Sequence, residues 1–159
     1  MKVAVLLSGC GVFDGAEIHE AVFSFLALAQ NNLDCVCVAP DIQHHHVLNH
    51  TNGEELNEER NVLFESSRIA RGAIVSLADL DYNEISSLVI PGGFGAAKNL
   101  SDWAFKGPEG NVFPAVKDLI LHCVENKKPI VALCISPILI AKSLSGSKFE
   151  PQLTLGTTA

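Results

Sequence analysis

The chain has 159 residues, a length that fits one domain, and 48% of them are apolar, enough for a real core. Its net charge of −7 argues against a nucleic-acid surface, which needs clustered Lys and Arg, and no apolar run reaches the roughly 18–20 residues that span a bilayer. The five cysteines (Cys10, Cys35, Cys37, Cys123, Cys134) are odd in number and lack a framework spacing, so reduced thiols are expected; with no targeting segment in view, the expected compartment is the cytoplasm.

In chain order, short apolar runs alternate with amphipathic segments. Lys2 to Leu7 has the length and composition of a strand buried on both faces. Ala16 to Gln30 carries Ile18, Val22, Phe25, Leu26 and Ala29 close to helical spacing. Asp34 to Ala39 is a second strand that stops at Pro40. Residues 41–57 are polar and turn-rich, with Asn52-Gly53 as the turn signal of a hairpin or excursion. Glu58 to Arg71 is a predicted helix ending at Gly72, Ile74-Val75 a short strand, and Ser87 to Ile90 a clearer one that ends in Pro91-Gly92-Gly93. Val112 to Glu125 is helical, Ile130 to Leu133 a strand and Pro137 to Leu144 a helix, and Leu153-Thr154-Leu155 starts a last strand. The alternation predicts an α/β fold: a doubly wound, mostly parallel sheet with helices on both faces, whose ligands bind beyond the carboxyl ends of the strands.

The most informative stretch is Pro129-Ile-Val-Ala-Leu-Cys-Ile-Ser-Pro137. A buried strand runs into a helix with one nucleophile-capable residue between them, and Ala132 and Ser136 leave room on either side. This is the cysteine form of a nucleophile elbow. Pro137 suits the first helical position, so Cys134 faces the positive end of a helix dipole, which favours thiolate. Cysteine on an apolar strand is more often inert packing, and that reading fits the other four.

Pro91-Gly92-Gly93-Phe94-Gly95 follows another strand. By itself it is an ordinary glycine turn. Next to an elbow it is a candidate oxyanion hole, with the N–H groups of Gly93 and Ile135 as donors and Gly92, Gly93 and Phe94 against the substrate. After the first strand come Glu17 and Glu20, on one face of a helix start. Either carboxyl group could serve the thiol by hydrogen bonding or proton transfer, although acidic residues are favoured at a helix start anyway. His44-His45-His46 is no metal site by spacing, because consecutive histidines in a polar excursion diverge.

Three long motifs, Ser8 to Ala21, Ile90 to Leu100 and Leu133 to Pro137, closely resemble the ElbB family, the isoprenoid biosynthesis proteins with an amidotransferase-like domain; Asn61 to Gly72 agrees as well. That family belongs to the PfpI/ThiJ superfamily, which shares a flavodoxin-like sheet with class I glutamine amidotransferases. The resemblance covers essentially the whole chain. It implies a single class I glutamine amidotransferase-like domain over residues 1–159, a nucleophile at Cys134, a helix-borne glutamate beside it (Glu20 on helix spacing, Glu17 the runner-up) and an oxyanion site at Gly92-Gly93. It also implies a glyoxalase that converts glyoxal to glycolate without glutathione, metal or other cofactor; related superfamily members are described as protein deglycases. ElbB proteins continue beyond the segment matching Gly156, so a final strand and helix are expected past Ala159. The superfamily commonly pairs, and a homodimer is expected.

One departure bears on mechanism. Many superfamily members carry a histidine beside the nucleophile or on a later strand. Here Ile135 follows the cysteine and Leu153 to Thr157 holds no histidine, so a full Cys-His-Glu triad is not supported. A cofactor-independent glyoxalase acting on small dicarbonyls leads. A redox-sensing or regulatory thiol is the alternative, and a glutaminase subunit is weakest, since its histidine is missing.

Overall fold

Strand β1 (Lys2–Leu6) shows how the core is divided. Val3, Val5 and Leu7 pack on one side of the sheet and Ala4 and Leu6 on the other, all at most 3% exposed. A strand with no polar side reads as a continuous apolar run, which is why the sequence announces it. The computed structural model describes residues 1–153. Around β1 it builds a five-stranded sheet, parallel throughout, from β2 (Cys35–Ala39), β5 (Ile74–Ser76), β6 (Ile85–Ile90) and β7 (Ile130–Ala132) in the order β5-β2-β1-β6-β7. This is the expected doubly wound α/β fold.

Helices α1 (Ile18–Gln30) and α2 (Val62–Ala70) cover the face of Val3, Val5 and Leu7. Helices α5 (Pro114–Glu125) and α6 (Pro137–Leu144) cover the other, where Leu88, Ile90, Leu119, Ile120 and Leu139 form the larger cluster. The chain winds outward from β1 to β5 and then returns to place β6 on β1's other side. The winding direction therefore reverses between β1 and β6, and the loops leaving those strands part to form a crevice.

The remaining elements sharpen the sequence expectations. The 41–57 excursion contains a two-stranded antiparallel hairpin, β3 (Val47–Leu48) with β4 (Glu55–Leu56), turning through Asn52-Gly53. Helix α1 starts at Ile18 rather than Ala16, because the Glu17 side chain caps it by accepting from Glu20 N–H at 2.7 Å. Helix α2 starts at Val62 rather than Glu58, with Asn61 capping Phe64 N–H at 3.1 Å. Helix α5 starts at Pro114; Val112 instead bridges to Ser101. Two four-residue helices, α3 (Gly95–Lys98) and α4 (Trp103–Lys106), escaped sequence reading because one turn is too short to display a period. The strand expected at Leu153–Leu155 falls, from Thr154 onward, outside the described residues. Among those residues no helix is long and apolar enough to cross a membrane.

Strand β7 is the sheet's edge at one side. Its Val131 points to the α1 side, is 48% exposed, and with Phe23, Leu28, Leu33 and Val89 lines an open apolar groove of about 470 Å³. Leu119, fully buried between helix and sheet, is the opposite case. In urea denaturation, Leu119→Ala is expected to cost about 2–5 kcal/mol and Val131→Ala under about 1 kcal/mol. Equal losses would mean that the α5 face is not the main core.

Candidate active site

Three loops meet at the carboxyl ends of β1, β6 and β7, and backbone hydrogen bonds lace them together. Glu17 N–H donates to Gly92 O at 2.9 Å, Phe94 N–H to Val12 O at 2.8 Å and Gly95 N–H to Gly15 O at 2.9 Å. The buried Asn99 side chain donates to Ser8 O (2.9 Å) and Asp14 O (2.8 Å), tying α3 to the first loop. From β7, Leu133 N–H reaches Ile90 O at 3.0 Å and Ser136 Oγ donates to Pro91 O at 2.7 Å.

Cys134 stands on the third loop in a left-handed conformation (φ 54°). Among the described residues three other non-glycine residues have positive φ: Asn32, Arg71 and Lys127. Each of those follows a helix, where left-handed residues terminate the turn. Cys134 alone lies between a strand and a helix, at a cost of about 1–2 kcal/mol for a residue with a Cβ. This is the geometry of a nucleophile elbow, and the thiol is exposed.

Gly92 brings the carboxylate to the thiol. Glu20 Oε2 accepts from Gly92 N–H at 2.7 Å. A Cβ built on Gly92 would overlap Cys134 Cβ and come within 2.6 Å of that same Glu20 oxygen. The thiol carbon and the carboxylate are thus neighbours across a backbone that has no side chain. Of the two glutamates left open by the sequence, Glu20 faces the elbow. Glu17 faces back along its own helix and holds His19 Nδ1 at 2.8 Å. Partial burial acts upward on Glu17 but is outweighed by the hydrogen bonds from Glu20 N–H and His19, which hold its carboxyl below the usual range.

Gly93 (φ 94°) leaves no space for a side chain: its Cβ would sit 2.5 Å from Glu17 N. Its own N–H and that of Ile135 have no acceptor among the described residues. Phe94 is 45% exposed and, with Ile135, borders an open cleft of about 530 Å³ whose other walls include Phe13, Leu48, Lys98, Trp103 and Phe105. Sequence reading gave no role to Lys98, Asn99, Trp103 or Phe105. Lys98 and Asn99 lay inside the recognised Ile90–Leu100 motif, which was the one available signal. Among the described residues no histidine hydrogen-bonds to Cys134, and no group of three His, Cys, Asp or Glu is placed to hold a metal. Of the three consecutive histidines, His44 turns away, while the His45 and His46 rings meet edge to face with centroids 5.2 Å apart. His44 lies under Gly9, His45 stacks on Phe105 with centroids 4.0 Å apart, and His46 meets Lys98 Nζ at 3.0 Å.

A solved structure of an isoprenoid biosynthesis protein with amidotransferase-like domain from Ehrlichia chaffeensis matches with a TM-score of 0.86 and 40% identity, over 91% of this chain and 68% of its own. The chain belongs to the ElbB family. Curated relatives include the ES1 protein homolog, mitochondrial, of Rattus norvegicus, 46% identical over 146 residues, 91% of this chain and 55% of the relative. The glutamine amidotransferase-like class 1 domain-containing protein 3, mitochondrial, of Homo sapiens is 45% identical over 91% of this chain and 54% of its own length. The chain therefore spans about half the length of the curated relatives it matches. A two-domain protein of Anabaena variabilis with a DJ-1/ThiJ/PfpI-like domain shares the fold at a TM-score of 0.55 and 16% identity, over 89% of this chain and 32% of its own. No family model matches the chain.

These relatives correct one expectation. The proteins from rat, human and Danio rerio are mitochondrial, which overturns the cytoplasmic compartment expected for this ElbB family member. A compartment is set by a removable address segment, and the folded core of a domain carries no record of it.

The thiols of this ElbB protein should differ in reactivity. Burial pushes Cys37 and Cys123 up to about 11, and burial, then the Glu65 charge, raises Cys10. Only Cys35 and Cys134 are exposed. Iodoacetamide at pH 7.5, read by peptide mass spectrometry, is expected to label Cys134 first and Cys35 second. Labelling of Cys10 or Cys123 ahead of Cys134 would remove the elbow from consideration.

Proposed function

We propose that this ElbB protein is a cofactor-independent glyoxalase that converts a small 2-oxoaldehyde and water into a 2-hydroxy acid. The observation that carries the reading is Glu20 and Cys134 meeting across Gly92, with Glu20 Oε2 fixed by the Gly92 N–H and its second oxygen left to exchange protons. The Cys134 thiolate adds to the aldehyde carbon, and the carbonyl electron pair moves to oxygen to give a hemithioacetal. Glu20 removes the hydrogen on that carbon as a proton and returns it to the neighbouring carbon. The first carbon becomes a thioester and the second carries the hydroxyl, so the two oxidation changes cancel and no external oxidant is needed. Water then hydrolyses the thioester and frees the thiol. The Gly93 and Ile135 N–H groups, which have no acceptor among the described residues, would stabilise the negative oxygen at each addition.

The test is glycolate formation from glyoxal. Cys134→Ala is expected to fall to background, and Glu20→Ala and Glu20→Gln to lose about 10²–10⁴-fold, because neither can relay a proton. Glu17→Ala should instead cost about 1 kcal/mol of stability through the lost helix cap. If Glu17→Ala abolishes turnover while Glu20→Ala does not, the proton relay belongs to Glu17. Wild-type protein that forms no glycolate, yet has Cys134 converted to a sulfinic acid by dilute peroxide, would favour a redox-sensing thiol, a role that needs no histidine base.

A homodimer belongs to the same proposal. The exposed Val22, Phe23 and Leu26 on α1 support self-association. Light scattering at two concentrations should give a dimer mass, and a monomer mass at both would remove this part.

A further inference from the structure

We infer that the cleft beside the elbow selects 2-oxoaldehydes carrying a flat apolar ring, so that aryl-substituted substrates are preferred to the two-carbon dialdehyde. The inference rests on the glyoxalase reading of Cys134 and Glu20 and adds the substrate class. The cleft, about 530 Å³, borders the elbow through Ile135, the residue after the nucleophile, and through Phe94, the residue after the Gly92-Gly93 turn. Phe13, Phe94 and Phe105 are 37, 45 and 48% exposed, and the single tryptophan, Trp103, stands with them. Four aromatic rings gathered round one opening leave apolar surface in water that only an apolar occupant would cover. Glyoxal has no apolar substituent and gains nothing from these walls. An aryl ring displaces water from itself and from them, and ring–ring contacts add to the gain.

The cleft is held open rather than collapsed. Lys98 Nζ donates to Phe13 O at 2.8 Å, meets His46 Nε2 at 3.0 Å and lies 5.3 Å from the Phe94 ring centroid, so one cation braces three walls. Burial pushes the Lys98 ammonium down, and burial with the Lys98 charge pushes His46 down, which leaves His46 neutral to accept. Among the described residues two of the three Lys98 donors are then engaged, which leaves the third for an oxygen of the substrate. His45 stacked on Phe105 fixes the opposite wall.

Two measurements test this. With the whole protein, kcat/KM for phenylglyoxal should exceed that for glyoxal by about tenfold or more, and Trp103→Leu or Phe105→Ala should bring the ratio to near one. Independently of turnover, mandelate, the hydroxy acid formed from phenylglyoxal, should quench Trp103 fluorescence saturably, whereas glycolate should not. Saturable quenching without turnover of either dicarbonyl would overturn the glyoxalase reading and leave the aryl-binding cleft supported. Turnover of glyoxal at least as fast as phenylglyoxal, with no quenching by mandelate, would overturn the cleft inference and leave the glyoxalase reading intact.

Discussion

The site hangs on one peptide unit, the one joining Pro91 to Gly92. Its carbonyl accepts from Ser136 Oγ on the elbow, and its N–H donates to Glu20 Oε2 on α1, both at 2.7 Å. The Gly92 carbonyl beyond it accepts from Glu17 N–H at the start of the same helix. Hydrogen bonds in line through a single amide polarise it in the same sense, so each strengthens the other. The thiol and the carboxylate come from segments 114 positions apart in number, 134 and 20, and this peptide fixes their spacing. A side chain at residue 92 is incompatible with it, because its first carbon would occupy the space that the two groups share.

The parallel sheet makes such a junction possible. Every strand ends on the same side, so the loops after β1, β6 and β7 reach one place. The order β5-β2-β1-β6-β7 puts those three strands side by side, with the winding reversal between β1 and β6 opening the crevice. The left-handed conformation of Cys134 persists because its surroundings leave it no alternative. Leu133 is held by Ile90 before it, Ser136 by Pro91 after it, and α6 is packed onto the core through Leu139 and Ile140. Strain of this kind is tolerated where structure over-determines it, and it keeps the sulfur proud of the sheet.

What the sequence disclosed followed from local physics. Strand β1 is legible because both its faces are buried, and the elbow because strand, small flanks and Pro137 lie within nine consecutive residues. Where the carboxylate sits was only half legible. Glu17 and Glu20 share a helix face in spacing, and the choice between them turns on a cap: once Glu17 accepts Glu20 N–H, it is turned toward its own helix start and Glu20 is left to face Gly92. Of the aromatic cleft only Phe94 was legible, from the glycine turn it follows. Phe13, Leu48, Phe94 and Trp103 come from the β1–α1 loop, the hairpin, the glycine turn and a one-turn helix, and no periodicity joins residues that meet only through tertiary structure. The compartment failed for a different reason, since address and fold are separate parts of a polypeptide.

The two glutamates also explain how one helix start supports two carboxyl groups without conflict. An acid at an N-cap is stabilised in its charged form by backbone N–H groups and the helix dipole, and Glu17 shows this in its downward displacement. Such an acid makes a poor proton carrier at neutral pH, because its charged form is the one the helix holds. Glu20, three residues on, gives one oxygen to the Gly92 N–H and faces the elbow rather than the helix end. The fold thus separates a carboxyl group committed to the helix start from one turned to the elbow, using a single turn of helix to do so.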